Sequence, residues 1–199
     1  QLKFLKLRDT CLDNKGMEGF SSYSLDKIKL LDFSDNSISN KGMEALSLSN
    51  TFQNINQLIL NNNNIGDDGI FALSESEMFC NLESLFLANN DLTTDSAISI
   101  SKSNTITQLK NIDFNNNDIR SEGTKALSHS TNLQSIEYLD LGANGLGAEG
   151  AEAIANSPYI KKLKSLRLNN NNIKDVGVAA IANSKNFNSL ENLYLENEN

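Results

Sequence analysis

Residues 82–92 read LESLFLANNDL, with leucine at the first, fourth, sixth and eleventh positions and asparagine at the ninth. Residues 109–119, LKNIDFNNNDI, have the same arrangement, with Ile112, Phe114 and Ile119 in place of leucine. This eleven-residue frame recurs along the chain, at a spacing of 26 residues once and 27 residues thereafter. Its first positions are Leu2, Ile28, Ile55, Leu82, Leu109, Ile136, Leu163 and Leu190. A fixed period of this length predicts a tandem array of one structural unit.

The first half of each unit is predicted to be a short strand. Apolar residues at positions four and six alternate with polar neighbours, which is the pattern of a strand with one buried face. Position nine forms a column of amides, which we expect to bond the backbone where each strand ends. That column comprises Asn36, Asn63, Asn90, Asn117, Asn144 and Asn171, with Thr10 and Glu198 in the terminal repeats.

The second half of each unit is predicted to be a helix. Its expected first residues are mostly types that accept hydrogen bonds from free helical N–H groups. They are Asn14, Asn40, Asp67, Thr94, Ser121, Ala148 and Asp175. A glycine follows in most units, and its missing side chain lets the helix lie close to its neighbour. The unit is therefore strand, turn, helix, turn.

This pattern resembles the leucine-rich-repeat family. The recurring glycine followed by Ala-Leu, as in Gly42, Ala45 and Leu46, looks like the ribonuclease-inhibitor-like subfamily. The resemblance implies an α/β fold, a curved solenoid with a parallel sheet on its concave face and helices on its convex face. We expect a single domain over residues 1–199, of about seven and a half repeats. No polar cap is visible at either edge, so we also expect a longer parent protein.

The composition favours some partners over others. The net charge of -8 and the pI near 4.7 oppose binding to nucleic acid and to anionic membranes. We therefore expect a monomer whose protein partner has a basic or mixed-charge surface. Cys11 and Cys80 fall in different columns, so no disulfide is predicted between them. About thirty asparagines occur without a glycosylation sequon, which favours a cytoplasmic location, or secretion into a host cell if the protein is a bacterial effector.

Catalytic residue types are sparse, so we predict that the protein is not an enzyme. The only histidine, His129, falls at a helix end, far from the concave columns, and no cofactor or metal site is predicted. Asp113 and Asp140 could act as paired carboxylates or bind a hard cation. On a solvated face, however, they would lack the pocket that shifts a pKa.

The outward-pointing strand residues predict where a partner binds. Ile59 and Phe86 share one column in adjacent repeats and should form an exposed apolar spot, with Leu30 diagonally nearby. Beside it, Asp113 and Asp140 form an acidic step flanked by Tyr138. An apolar anchor beside carboxylates is typical of a protein-binding hot spot. The predicted site comprises Leu30, Ile59, Phe86, Asp113, Tyr138, Asp140, Arg167 and Tyr194.

Positions seven and eight of the frame are rich in asparagine. We interpret these residues as turn formers at the strand ends, with an amide-lined sugar or peptide site as the alternative. They are Asn61, Asn62, Asn89, Asn115, Asn116, Asn169 and Asn170.

The predicted function is a protein-protein interaction module that binds through its concave face, in a bacterial effector or another intracellular regulator. Two alternatives are a regulator of a small GTPase, resembling GTPase-activating proteins, and a self-associating structural scaffold.

Overall fold

A computed structural model describes residues 2–23, 25–49 and 51–196, which leaves Glu198 outside the described part. Eight strands form one parallel sheet in chain order. The strands are β1 Phe4–Lys6, β2 Leu30–Asp32, β3 Gln57–Ile59, β4 Ser84–Phe86, β5 Asn111–Asp113, β6 Tyr138–Asp140, β7 Ser165–Arg167 and β8 Asn192–Tyr194. The helices are α1 Asn14–Phe20, α2 Asn40–Ser47, α3 Asp67–Glu75, α4 Thr94–Lys102, α5 Arg120–Ser128, α6 Gly147–Ala155 and α7 Lys174–Ala182.

This architecture confirms the predicted α/β solenoid. Each strand pairs in parallel with the next, and equivalent positions of the frame lie opposite one another, as Leu31 does with Leu58. The helices form a second layer in which each contacts the helix of the next repeat. One continuous apolar core lies between the layers, and its largest fully buried side chains include Phe33, Phe52, Phe79 and Phe114. Every repeat therefore buries its apolar surface against its neighbours.

The asparagine column bonds each repeat to the one before it. In Asn63, the Nδ2 donates to the carbonyl oxygens of Leu60, in the same repeat, at 3.0 Å and of Phe33, in the preceding repeat, at 3.1 Å. Its Oδ1 accepts from the backbone N–H of Ile38 at 3.0 Å. At all six asparagines of the column, the Oδ1 accepts the equivalent bond from a backbone N–H of the preceding repeat. The predicted role of position nine is thus confirmed.

A second hydrogen-bonded column, of serines, lies between the helices and the following strands and was not predicted. The Oγ of Ser157 donates to the carbonyl oxygen of Ser128, one repeat earlier, at 2.5 Å. It also accepts from the backbone N–H groups of Tyr159 and Ile160. Serine recurs here every 27 residues, so the signal is visible in the sequence. The donating residues are Ser49, Ser76, Ser103, Ser130, Ser157 and Ser184.

The helices begin as predicted in the first four repeats and one residue earlier in the next three. Ser121, Ala148 and Asp175 were the predicted first residues, and the helices start instead at Arg120, Gly147 and Lys174. Each of these three earlier residues has a φ between +55° and +60°. The chain therefore enters the last three helices through a left-handed residue rather than the extended residue found before α1 to α4.

The predicted capping residues act between repeats instead of on their own helices. The Oδ1 of Asn14 accepts from the N–H groups of Ser39 and Gly42, at the start of α2. Asp67 likewise accepts from the N–H groups of Thr93 at 2.9 Å and Ser96 at 3.1 Å, at the start of α4. One carboxylate or amide thus supplies hydrogen-bond acceptors to the next helix.

Close helix packing accounts for the recurring glycine. A Cβ atom on Gly123 would lie 3.0 Å from the Cβ of Ala97 and 3.3 Å from the Cα of Thr94, both in α4. A side chain at this position would therefore push two neighbouring helices apart. Among the described residues, none of the helices is long and apolar enough to cross a membrane.

Replacing Asn63 with alanine should lower the free energy of unfolding by about 3 kcal/mol, because a buried N–H and two carbonyl groups lose their partner. Asn64→Ala, at the exposed adjacent position, is the matched control and should change it by less than about 0.5 kcal/mol. Urea unfolding of both variants measures the difference. Equal losses in the two variants would show that the column does not stabilise the fold.

Asp67 should make the stability depend on pH. Burial raises the pKa of its carboxyl, but hydrogen bonds from Ser96 and Thr93 together outweigh burial and hold the pKa below its ordinary value of 3.8. The stabilisation is therefore present above pH 3.8 and lost as the pH falls through the lowered pKa. We expect Asp67→Asn to be less stable than the parent at pH 7, by on the order of 1 kcal/mol, since solvent screens a partly exposed group. Urea unfolding should show this gap closing as the pH falls below 3.8 and through the lowered pKa of Asp67; a constant gap would contradict the assignment.

Candidate partner-binding site

Two rows of side chains cross the outer face of the sheet. Position five supplies one row, in which neighbours in the ladder follow one another from Asp32 to Tyr194. Position three supplies the other row, which contains Leu30 and Tyr138. The position-five row begins at Lys6 in β1 and continues with Asp32, Ile59, Phe86, Asp113, Asp140, Arg167 and Tyr194. The structure therefore brings all eight predicted residues onto one face of the sheet.

The apolar part of this face is less exposed than predicted. Leu30, Ile59 and Phe86 are each half-buried rather than fully exposed. Neighbouring strands lie about 4.8 Å apart, so side chains in one row cover one another. The sequence analysis missed Phe4, which pairs with Leu30 and is 61% exposed. Phe4 stands at position three of the same frame, so it could have been included.

The expectation that both aspartates are solvated was wrong, because Asp140 is only 5% exposed. Its Oδ1 accepts from the N–H of Gly142 at 2.9 Å. Its Oδ2 accepts from the Tyr138 hydroxyl at 3.2 Å and lies 3.9 Å from the Nε of Arg167. Asp32, at the same position in repeat two, is 8% exposed and accepts from the N–H of Ser34. These aspartates therefore terminate their strands as well as carrying charge.

Asp113 has one carboxylate oxygen that is not engaged by a hydrogen bond in the described residues. Its Oδ1 accepts from the N–H of Asn115 at 2.8 Å. Within the described parts of the chain, no cation lies within ion-pair distance of Asp113. Burial raises its pKa to about 6, and the charge of Asp140 adds to the rise, while the Asn115 hydrogen bond and Arg167 oppose it. The expectation that this face cannot shift a pKa was therefore wrong.

Tyr138 and Arg167 complete the charged part of the face. Burial raises the pKa of the Tyr138 hydroxyl, and the nearby carboxylates of Asp140 and Asp113 raise it further. The guanidinium carbon of Arg167 lies 4.2 Å from the centre of the Tyr194 ring. This is cation–π geometry, and it orients Arg167 between Tyr194 and Asp140.

The asparagines at positions seven and eight have different roles. Position eight is left-handed, as at Asn62 and Asn116, and so confirms the turn prediction. At position seven the amides cross to the next repeat: Asn61 accepts from the N–H of Ala88 at 2.8 Å. A Cβ on Gly142 would lie 2.5 Å from the Nδ2 of Asn115, so the amide covers that glycine. From Ser34 to Asn169, position seven therefore alternates between a small residue and asparagine, which the turn prediction had missed.

Other reactive side chains lie away from this face. His129 is exposed at the end of α5, in agreement with its predicted surface role, and its Nδ1 is 3.0 Å from the carbonyl oxygen of Lys125. Cys11 and Cys80 are exposed, free thiols. Among the residues that the structure describes, no three His, Cys, Asp or Glu side chains form a potential metal-binding group.

Comparison with known sequences agrees with the repeat architecture. A sequence model with the description "Leucine Rich repeat" matches residues 27–47, 53–74, 132–155 and 159–182. The chain is a leucine-rich-repeat protein. No curated protein sequence matches it.

Two solved structures with leucine-rich repeats resemble the chain at low sequence identity. One is a chain of an octameric complex of Latrophilin 3, Unc5D and FLRT2, with a TM-score of 0.47, 16% identity, and coverage of 85% of this chain and 54% of that chain. The other is the ectodomain of the membrane receptor kinase GASSHO1/SCHENGEN3 from Arabidopsis thaliana, in complex with Casparian strip integrity factor 2. Its TM-score is 0.46 at 17% identity, with coverage of 98% of this chain and 27% of that chain. This leucine-rich-repeat chain thus spans about half of the first structure and about a quarter of the second.

The carboxyl of Asp113 in this leucine-rich-repeat protein should titrate near pH 6. Because the folded pKa lies above the ordinary value of 3.8, Asp113 destabilises the fold as the pH rises from 3.8 to about 6. NMR titration of the Asp113 carboxyl carbon measures the midpoint, and Asp113→Asn assigns the signal by removing it. A midpoint near 4 would contradict the burial of this carboxylate.

Proposed function

We propose that this leucine-rich-repeat protein binds a partner protein through the concave face of its sheet. The proposed contact residues are the eight on the two rows: Leu30, Ile59, Phe86, Asp113, Tyr138, Asp140, Arg167 and Tyr194. The observation that carries this proposal is Asp113, whose burial raises its pKa although no cation of the described chain pairs with it. Such a carboxylate beside apolar side chains gains most from a partner that brings a positive charge.

The apolar side chains beside Asp113 in the position-five row support the same proposal. Ile59 and Phe86 are neighbours in the ladder and are already half-buried. Their side chains therefore lose little conformational entropy when a partner covers them. Aromatic residues that are fixed by their surroundings and ringed by polar groups commonly dominate interface energies. The net charge of -8 would also speed association with a basic or mixed-charge surface.

The finer predictions extend this proposal. We infer a ribonuclease-inhibitor-like subfamily, supported by a helix of eight or nine residues in each repeat from α2 to α7. A monomeric, non-catalytic module in an intracellular regulator or a bacterial effector also remains our proposal. The carboxylates of Asp113 and Asp140 favour binding over hydrolysis here, because Asp140 is engaged by Gly142, Tyr138 and Arg167.

The two alternative functions stay predictions with their own assays. A GTPase regulator would stimulate hydrolysis in a turnover assay against a panel of small GTPases. A self-associating scaffold would show a mass above that of the monomer in light scattering.

Pull-down experiments test the concave face. The bait carrying Ile59→Ser and Phe86→Ser should lose a partner that the parent chain captures, because the apolar anchors are gone. Phe71→Ser is the matched control, since Phe71 is 59% exposed on α3 and faces away from the sheet. It should keep the partner. Circular dichroism checks that all baits are folded, and loss of the partner with Phe71→Ser alone would move the site to the convex face.

A further inference from the structure

Arg167 shows how this face accommodates a cation. Its guanidinium lies 4.2 Å from the centre of the Tyr194 ring, and its Nε is 3.9 Å from the Oδ2 of Asp140. An aromatic side chain and a carboxylate in one row thus hold a guanidinium between them. The arrangement uses the position-five residues of three successive repeats.

The other side of the acidic step has the same components without the cation. Phe86 and Asp113 are neighbours in the position-five row, and Asp113 is followed by Asp140. The row therefore reads aromatic, carboxylate, carboxylate, cation, aromatic. Asp140 accepts hydrogen bonds from Gly142 and Tyr138 and lies 3.9 Å from the Nε of Arg167. Asp113 accepts a hydrogen bond from Asn115 at Oδ1 only. Its Oδ2 has no hydrogen bond or ion pair in the described structure.

We propose that Phe86, Asp113 and Tyr138 form a docking surface for one arginine side chain of the partner, whose guanidinium pairs with Asp113 and lies against Phe86. This inference rests on the proposed function and adds the residue type that the concave face recognises. Charge complementarity supports it, because Asp113 is a carboxylate without an ion pair beside an aromatic side chain, in a row that holds a guanidinium elsewhere.

The burial of the surface favours arginine over lysine. A guanidinium is planar, weakly hydrated and able to stack on an aromatic ring, whereas an ammonium keeps its water more strongly. Asp113 and Phe86 are both half-buried, so the bound cation must lose part of its hydration. Phe86 has no polar atom to replace that water. The difference should therefore be larger here than at an exposed carboxylate.

The same surface predicts how binding depends on pH. The groups that face Asp113 are Asp140 and Arg167, which oppose each other, and the Tyr138 hydroxyl, whose raised pKa keeps it neutral. Burial raises the pKa of Asp113 to about 6 in the free protein. A bound guanidinium favours the charged carboxylate, so affinity should fall as the pH drops through this value.

A random twelve-residue peptide library displayed on phage tests the inference. Peptides are selected on the parent chain, and their affinities are then measured on Asp113→Asn, on the Ile59→Ser and Phe86→Ser variant, and on Phe71→Ser. We expect the selected peptides to share an arginine. Its replacement by citrulline, which has the same shape but no charge, should weaken binding about 10- to 100-fold. Lysine in its place should also weaken binding, and Phe71→Ser should leave binding unchanged.

The outcomes separate this inference from the proposed function. If the peptides lose binding on Ile59→Ser and Phe86→Ser but tolerate citrulline and Asp113→Asn, the concave face binds and the arginine surface is wrong. If only Phe71→Ser abolishes binding, the proposal that the concave face binds the partner is wrong. A selection that yields no peptide with a required arginine also overturns the inference. The citrulline comparison leaves the protein unchanged, so a misfolded variant cannot mimic the expected result.

Discussion

The hydrogen bonds of the position-nine asparagines are the interactions on which the rest of this solenoid depends. Each strand is only three residues long, so the chain leaves the sheet at once and its backbone groups turn into the core. Unpaired backbone groups at that depth would cost more than the short strand contributes. Asn63 pairs three of these groups and joins two repeats in doing so. The 27-residue period keeps this amide in register from one repeat to the next.

Other columns of polar side chains pair backbone groups at other points of the unit. Serines such as Ser157 join the turns after the helices, and Asn14 or Asp67 supplies acceptors to the next helix. All of these bonds run between adjacent repeats. A repeat therefore obtains both its apolar burial and its polar partners from its neighbours, which makes the array cooperative over short distances.

The concave face combines structural and binding roles in the same side chains. Asp32, Asp113 and Asp140 each accept from an N–H two residues later, so each one terminates its strand. Asp113 and Asp140 differ at the second oxygen. In Asp140 it faces Tyr138 and Arg167, whereas in Asp113 it lacks a cation partner in the described residues. The candidate site is thus set by what the neighbouring repeats place beside each aspartate.

The sequence by itself determined the period, the strand positions, the buried columns and the face on which the candidate residues lie. Those features follow from local patterns, because a residue's place in the frame fixes whether it points inward or outward. Burial on the outer face, the raised pKa of Asp113 and the pairing of Asp140 with Arg167 depended on the tertiary structure. So did the cross-repeat bonds of Asn14 and Asp67, which the sequence suggested as caps of their own helices. These properties arise from side chains about 27 residues apart in sequence, and only the stacking of repeats fixes the distances between them.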